Sequence, residues 1–185
     1  MKRSLFVVAL AGVALVWLSH GARAQVANPV RFGIAAGAAI PVSDLSNVSS
    51  TGFNGTVTLG FHPQLIPLGV RIDGAYNQFG LKFSSGNLHY TSVTGNLVYS
   101  IPSEAVAPYL IGGAGWYNVG ASGGATLNAS GTGSGSSSNN FGWDIGGGIT
   151  MPLSGFDTFL EARYNQVQSN GGSAKFIPIT FGVMF

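Results

Sequence analysis

Phe176-Ile-Pro-Ile-Thr-Phe-Gly-Val-Met-Phe185 closes the chain, and its period decides the fold class. Counting back from Phe185, every second residue is apolar: Val183, Phe181, Ile179 and Ile177. Met184, Gly182, Thr180 and Pro178 between them are mixed. A two-residue period marks a strand with one apolar face. Here the strand runs to the final residue and ends on an aromatic carboxylate.

The amino terminus gives that ending its context. Lys2 and Arg3 precede an apolar run of about 14 residues, Leu5 to Leu18, and Ala22-Arg23-Ala24 then supplies small residues two apart. This is the layout of an export signal, predicting cleavage before Gln25. The run is shorter than the roughly 20 residues a spanning helix needs, so a retained anchor is the weaker reading. No later segment is apolar for 18 residues, so no other transmembrane helix is expected. Residues 1–24 therefore read as a signal peptide and 25–185 as one domain. An exported chain that closes on such a strand predicts an outer-membrane β-barrel.

Charge and composition narrow the function classes. The whole chain carries a formal charge of +2, but Lys2, Arg3 and Arg23 belong to the leader. Arg31, Arg71, Lys82, Arg163 and Lys175 then face Asp44, Asp73, Glu104, Asp144, Asp157 and Glu161, a balance of −1. Nucleic-acid binding has no electrostatic support. The absence of cysteine excludes disulfides, thiolate metal sites and a lipid-modified cysteine. Charged residues make up 8% of the chain where a soluble domain has about a quarter. A wall with lipid on one side explains that deficit.

Strands and turns alternate along the chain, and helical periodicity never takes hold. Strands are expected near 30–40, 53–61, 68–79, 88–101, 106–119, 141–151, 157–168 and at the end. The facing of the fifth stays open, because both of its faces are apolar. Eight strands put both termini at one end, in the periplasm. The Pro-containing connections at 62–67, 102–105 and 152–156 become periplasmic turns. Those at 41–52, around Lys82, at 120–140 and at 168–174 become external loops. Aromatics near the strand ends read as two interfacial girdles: Phe61, Tyr99, Tyr109, Phe159 and Phe185 at the turns, Phe53, Phe79, Trp143, Tyr164 and Phe176 at the loops.

Phe53-Asn-Gly-Thr-Val-Thr-Leu-Gly-Phe61, Pro108-Tyr-Leu-Ile-Gly-Gly-Ala-Gly115, Phe159-Leu-Glu-Ala-Arg-Tyr164 and the terminal Phe185 carry a family likeness. The chain resembles the small eight-stranded outer-membrane barrels related to OmpX, the OmpA membrane domain and the opacity porins. The likeness spans the mature chain and implies an all-β, antiparallel, up-and-down transmembrane barrel in the outer membrane. It also implies outer-membrane lipids, the barrel-assembly machinery and periplasmic chaperones as partners. Ile177, Ile179, Phe181, Val183 and Phe185 would be the assembly-signal strand. Nothing follows that strand, so the peptidoglycan-binding domain of full OmpA-type proteins is not expected.

The alternation puts Arg31, Arg71, Asp73, Asp144, Glu161 and Arg163 inside. An eight-stranded lumen is just wide enough for side chains to fill, and isolated charges there are costly. These six read as a structural ion-pair network, with a charge-lined path for small solutes as the alternative. Inward glycines such as Gly33, Gly60 and Gly146 suit a curved wall or a water-filled cavity equally. His62 and His89 are too far apart for a metal site, and no cofactor is expected. The preferred reading is a non-enzymatic barrel of structural or surface-interaction type. A narrow channel and a rim-located lipid-modifying enzyme using His89 are the alternatives.

Overall fold

The computed structural model describes residues 29–63, 66–83, 85–103, 106–122, 137–169 and 172–185. The signal peptide expected at 1–24 lies outside them, as does most of the 120–140 loop. Eight strands form one closed antiparallel barrel, each paired with its neighbours in chain order and β8 with β1. They are β1 Val30–Val42, β2 Gly52–Phe61, β3 Leu68–Gly80, β4 Asn87–Ser100, β5 Ala107–Ser122, β6 Ser137–Leu153, β7 Phe156–Ser169 and β8 Gly172–Met184. The expected strands are all present. β5 and β6 run several residues further into the 120–140 segment than their apolar alternation indicates, because Ser, Asn and Gly there continue the ladder.

The wall inverts the arrangement of a soluble core. Ile34, Val57, Ile72, Val93, Leu97, Leu110, Ile145 and Phe181 are exposed on the outside. Asn54, Thr58, Asn77, Thr94, Asn96 and Asn165 are buried inside. The fifth strand resolves the same way. Leu110 and Trp116 point out, while Tyr109, Ile111, Tyr117 and Val119 point in. Its two apolar faces thus meet two different surroundings, lipid and lumen.

Register fixes the tilt. A row of paired residues runs from Arg31 through Gly60, Arg71, Asn96, Gly113, Asp144, Asn165 and Phe176 to Pro41, ten residues above its start on β1. Strand number and shear together set the inclination, typically about 35–45° from the axis in barrels. Residues on one row therefore lie at different heights, Arg31 at the turn end and Phe176 at the loop end.

Four of the ten expected girdle aromatics belong inside. Phe79, Phe176, Tyr109 and Phe159 are buried in the lumen, because each shares the parity of the inward residues on its strand. Phe53, Phe61, Tyr99 and Phe185 are exposed on the outer wall. Trp143 and Tyr164 also face out and pack against each other, ring centroids 5.7 Å apart.

An apolar cluster, the cap, is buried inside the barrel toward its loop end. Phe79, Tyr90 and Phe176 pack ring to ring at 5.4 to 5.8 Å. Leu45 belongs to this cluster, carried by a one-turn helix, α1 Asp44–Val48, in the 41–52 connection expected to be an external loop. Lys82 anchors α1 from the neighbouring loop: its backbone N–H donates to the Val48 carbonyl at 2.9 Å and Nζ to the Ser46 carbonyl at 2.7 Å.

Candidate functional site in the lumen

Below the cap, five of the six inward charges form one layer. Arg71 and Asp73 stand two apart on β3, and Glu161 and Arg163 two apart on β7, so each pair shares its strand's inner face. Arg71 Nη2 donates to both Glu161 oxygens at 2.9 and 2.7 Å, and its Nε donates to Asp73 Oδ2 at 3.1 Å. Arg163 donates from Nη2 to Asp73 Oδ2 at 2.6 Å and from Nε to Glu161 Oε1 at 2.6 Å. Its Nη1 reaches Asp144 Oδ1 on β6 at 3.3 Å. The planar guanidinium fork lets two arginines serve three carboxylates, which lysine could not do.

Neutral groups complete the layer. The Tyr109 hydroxyl donates to Glu161 Oε2 at 2.7 Å, and Asn96 Nδ2 donates to Asp73 Oδ2 at 2.9 Å. Tyr117 bonds Asn165, and Asn54 bonds Asn77, just above. Sequence reading missed Tyr109, Tyr117 and Asn96. Asn96 lies on a legible inward parity, but Tyr109 and Tyr117 are on the fifth strand, whose facing the sequence leaves open, and only the register shows that all three reach the charges.

Arg31 is not part of this layer. It is 46% exposed and paired with Asp157 at the turn-end rim. The inclined row explains this: Arg31 and Arg71 are separated by Gly60 alone, yet two strands of tilt drop Arg31 to the mouth. Asp157, its partner, was counted in the sequence but not assigned a place inside.

The layer divides the lumen unequally. Above it, a gap of about 30 Å³ lies among polar side chains, room for a water molecule or two. Below it, a cavity of about 340 Å³ reaches the turn end past Arg31 and His62. His62, in the β2–β3 turn, has its pKa held below the ordinary value, chiefly by burial and secondarily by Arg31. Among the described residues, no group of three His, Asp or Glu is placed to hold a metal ion. Neither imidazole is hydrogen-bonded to a described carboxylate; His89 faces out and stacks on Tyr76 at 6.1 Å.

The family described as outer membrane protein beta-barrel domain matches residues 9–185. The chain belongs to this family. It is an outer-membrane β-barrel protein, its exterior set among membrane lipids. The short turns of such barrels face the periplasm and the longer loops the outside.

Among solved structures, the chain is similar to Neisserial surface protein A, with a TM-score of 0.66 and 18% identity over 84% of this chain and 96% of that one. It is also similar to a major outer membrane protein from Thermus thermophilus, with a TM-score of 0.50 and 13% identity over 84% and 98%. The outer membrane enzyme PagL gives a TM-score of 0.48 and 17% identity over 84% and 98%. Identities this low report fold alone. No protein of curated function matched the chain.

Proposed function

We propose that this protein is a structural or surface-interaction barrel of the outer membrane, non-enzymatic, with a lumen plugged by its own side chains. The observation that carries the reading is the stack inside the barrel. An aromatic cap under Leu45 lies over a layer of five charged side chains that bond from wall to wall. The charges act structurally: each is tied to an oppositely charged partner, which offsets the desolvation that burial imposes. A conducting path would need both barriers to open together. The absence of a carboxylate on either imidazole, among the described residues, gives an acid–base mechanism no support. Ile177 to Phe185 serve as the strand read by the barrel-assembly machinery, delivered by periplasmic chaperones.

Planar-bilayer recording of the refolded protein tests the plug. A bilayer that stays silent is the expected result, and steady unit conductance would establish a narrow channel instead. Removing the apolar seal with Leu45→Ser should leave the bilayer silent as well, since the charged layer remains.

A further inference from the structure

The charged layer does not balance. Arg71 and Arg163 stand against Asp73, Asp144 and Glu161, two cations for three acids, and all five side chains are 10% exposed or less. The layer is also short of donors. Among the described residues, Asn96 Oδ1 and Asp144 Oδ2 are buried and accept no hydrogen bond. Asp73 Oδ1 accepts none either and has in its place an ion-pair contact with Arg71 Nε at 3.0 Å. A surplus buried charge is costly unless an opposite charge meets it. Here the shortage of positive charge and the acceptors left without donors fall in the same layer.

The gap directly above the layer has room for a counter-charge. Its volume of about 30 Å³ exceeds the roughly 10–15 Å³ that one water-sized occupant needs. Asp73, Glu161 and Arg163 are the charged residues of its lining, two acids against one cation. Arg163 is turned to the acids, with Nε on Glu161, Nη1 on Asp144 and Nη2 on Asp73. Ser92, Thr94 and Thr180 add hydroxyl oxygens to the lining. Asp73 and Thr94 are register partners on β3 and β4, and Ser92 stands two residues above Thr94 on the same inner face. Oxygen ligands of this kind suit a hard cation, and a surplus of one negative charge matches a single positive one. We propose that the gap binds one sodium ion, held by Asp73 and the hydroxyls of Ser92, Thr94 and Thr180. The site rests on the plugged-lumen reading and deepens it, since the ion makes the plug electrically neutral.

The test compares the barrel refolded in lipid nanodiscs in N-methylglucamine chloride, whose cation is too large for the gap, with the same barrel titrated with sodium chloride at equal ionic strength. Backbone amide shifts in NMR are the readout. Saturable shifts at Asp73, Ser92, Thr94 and Thr180 are expected with sodium. Asp144 is outside the gap lining, so Asp144→Asn removes the surplus charge and leaves the oxygens in place. Thr180→Val removes one oxygen and keeps the charge. Each variant should bind sodium tenfold or more weakly, about 1.4 kcal/mol, and Thr180→Val decides if Asp144→Asn does not fold. Shifts spread over exposed acids such as Asp44, or unchanged sodium affinity in the variants, would overturn the proposal. A bilayer that stays silent while sodium produces no saturable shift would overturn the site alone and leave the plug standing.

Discussion

Arg163 and Asp73 bridge the barrel from wall to wall: Nη2 of Arg163 on β7 lies 2.6 Å from Oδ2 of Asp73 on β3, four strands away around the closed sheet. Arg71 and Glu161 cross the same gap in the opposite sense at 2.7 Å. The Arg-x-Asp of β3 and the Glu-x-Arg of β7 are thus charge complements, brought face to face across the lumen.

This crossing makes charge balance, more than any one bond, the quantity that matters. Arg163→Met would leave Asp73 and Asp144 with much less compensation, and breaking a buried pair in this way costs about 3–5 kcal/mol. Adding Asp73→Asn and Asp144→Asn removes the stranded charges and leaves Arg71 with Glu161 as a balanced pair. The triple variant should recover at least half of the loss. Urea unfolding in lipid vesicles, at constant slope, measures both. A triple variant no better than the single one would mean that the layer is held by shape instead of charge.

The seam where the barrel closes sets a different demand. A Cβ on Gly37 of β1 would collide with the Ile179 carbonyl oxygen and stand 2.7 Å from the Thr180 Cα, both backbone atoms of β8 that cannot swing away. Gly95 of β4 faces out, and an added Cβ there meets nothing within 4 Å. Gly37→Val should therefore block closure of the β1–β8 ladder, while Gly95→Ala refolds normally. The fraction of protein migrating as the compact form on an unheated gel reports both. Normal folding of Gly37→Val would show that the seam has slack the register does not reveal.

How far the sequence reaches follows from the same parity rule. Alternation alone separates Ile72 from Asp73 and Leu160 from Glu161, so the walls and the candidate charges are legible in one dimension. What it cannot supply is height. Arg31, Arg71 and Asp144 share a row and a face, yet only the ten-residue shear places Arg31 at the mouth and the other two in one layer. The aromatics failed for a related reason. Phe79 and Phe176 lie near strand ends as girdle residues do, but their parity is inward, and their apolar character suits a capped lumen as well as lipid. Where charges point inward at one level and rings at another, hydrophobicity no longer identifies the outer face.

His62 adds a pH dependence with a defined sign. Burial, and behind it Arg31, keeps its folded pKa below the ordinary 6.5. The folded protein thus binds this proton less readily than the unfolded chain does. The resulting stability is complete above pH 6.5 and is lost as pH falls through that value toward the lowered one. The urea midpoint should therefore fall between about pH 7.5 and about pH 5, and His62→Gln should flatten part of that slope. Arg31→Gln should flatten less, since Arg31 is the smaller of the two causes. An unchanged slope in His62→Gln would assign the pH dependence to the carboxylates.

Phe185 permits a separation of folding from delivery. Its backbone N–H donates to the Phe32 carbonyl at 2.7 Å and its carbonyl accepts from the Phe32 N–H at 3.0 Å, so the main chain is held by β1. Its ring is half exposed and touches Phe156 at 6.1 Å between centroids. Phe185→Ser keeps both backbone bonds to Phe32 and removes only that ring, leaving the β1–β8 ladder intact. Refolding into vesicles should then proceed almost as before. On the proposed role of the aromatic end as the signal for the assembly machinery, the same variant in cells should accumulate in the periplasm with the outer-membrane level reduced several-fold. Deleting Phe185 also removes the two bonds to Phe32 and should lower both yields. A loss of equal size for Phe185→Ser in vesicles and in cells would instead make the ring a packing element of the β1–β8 seam.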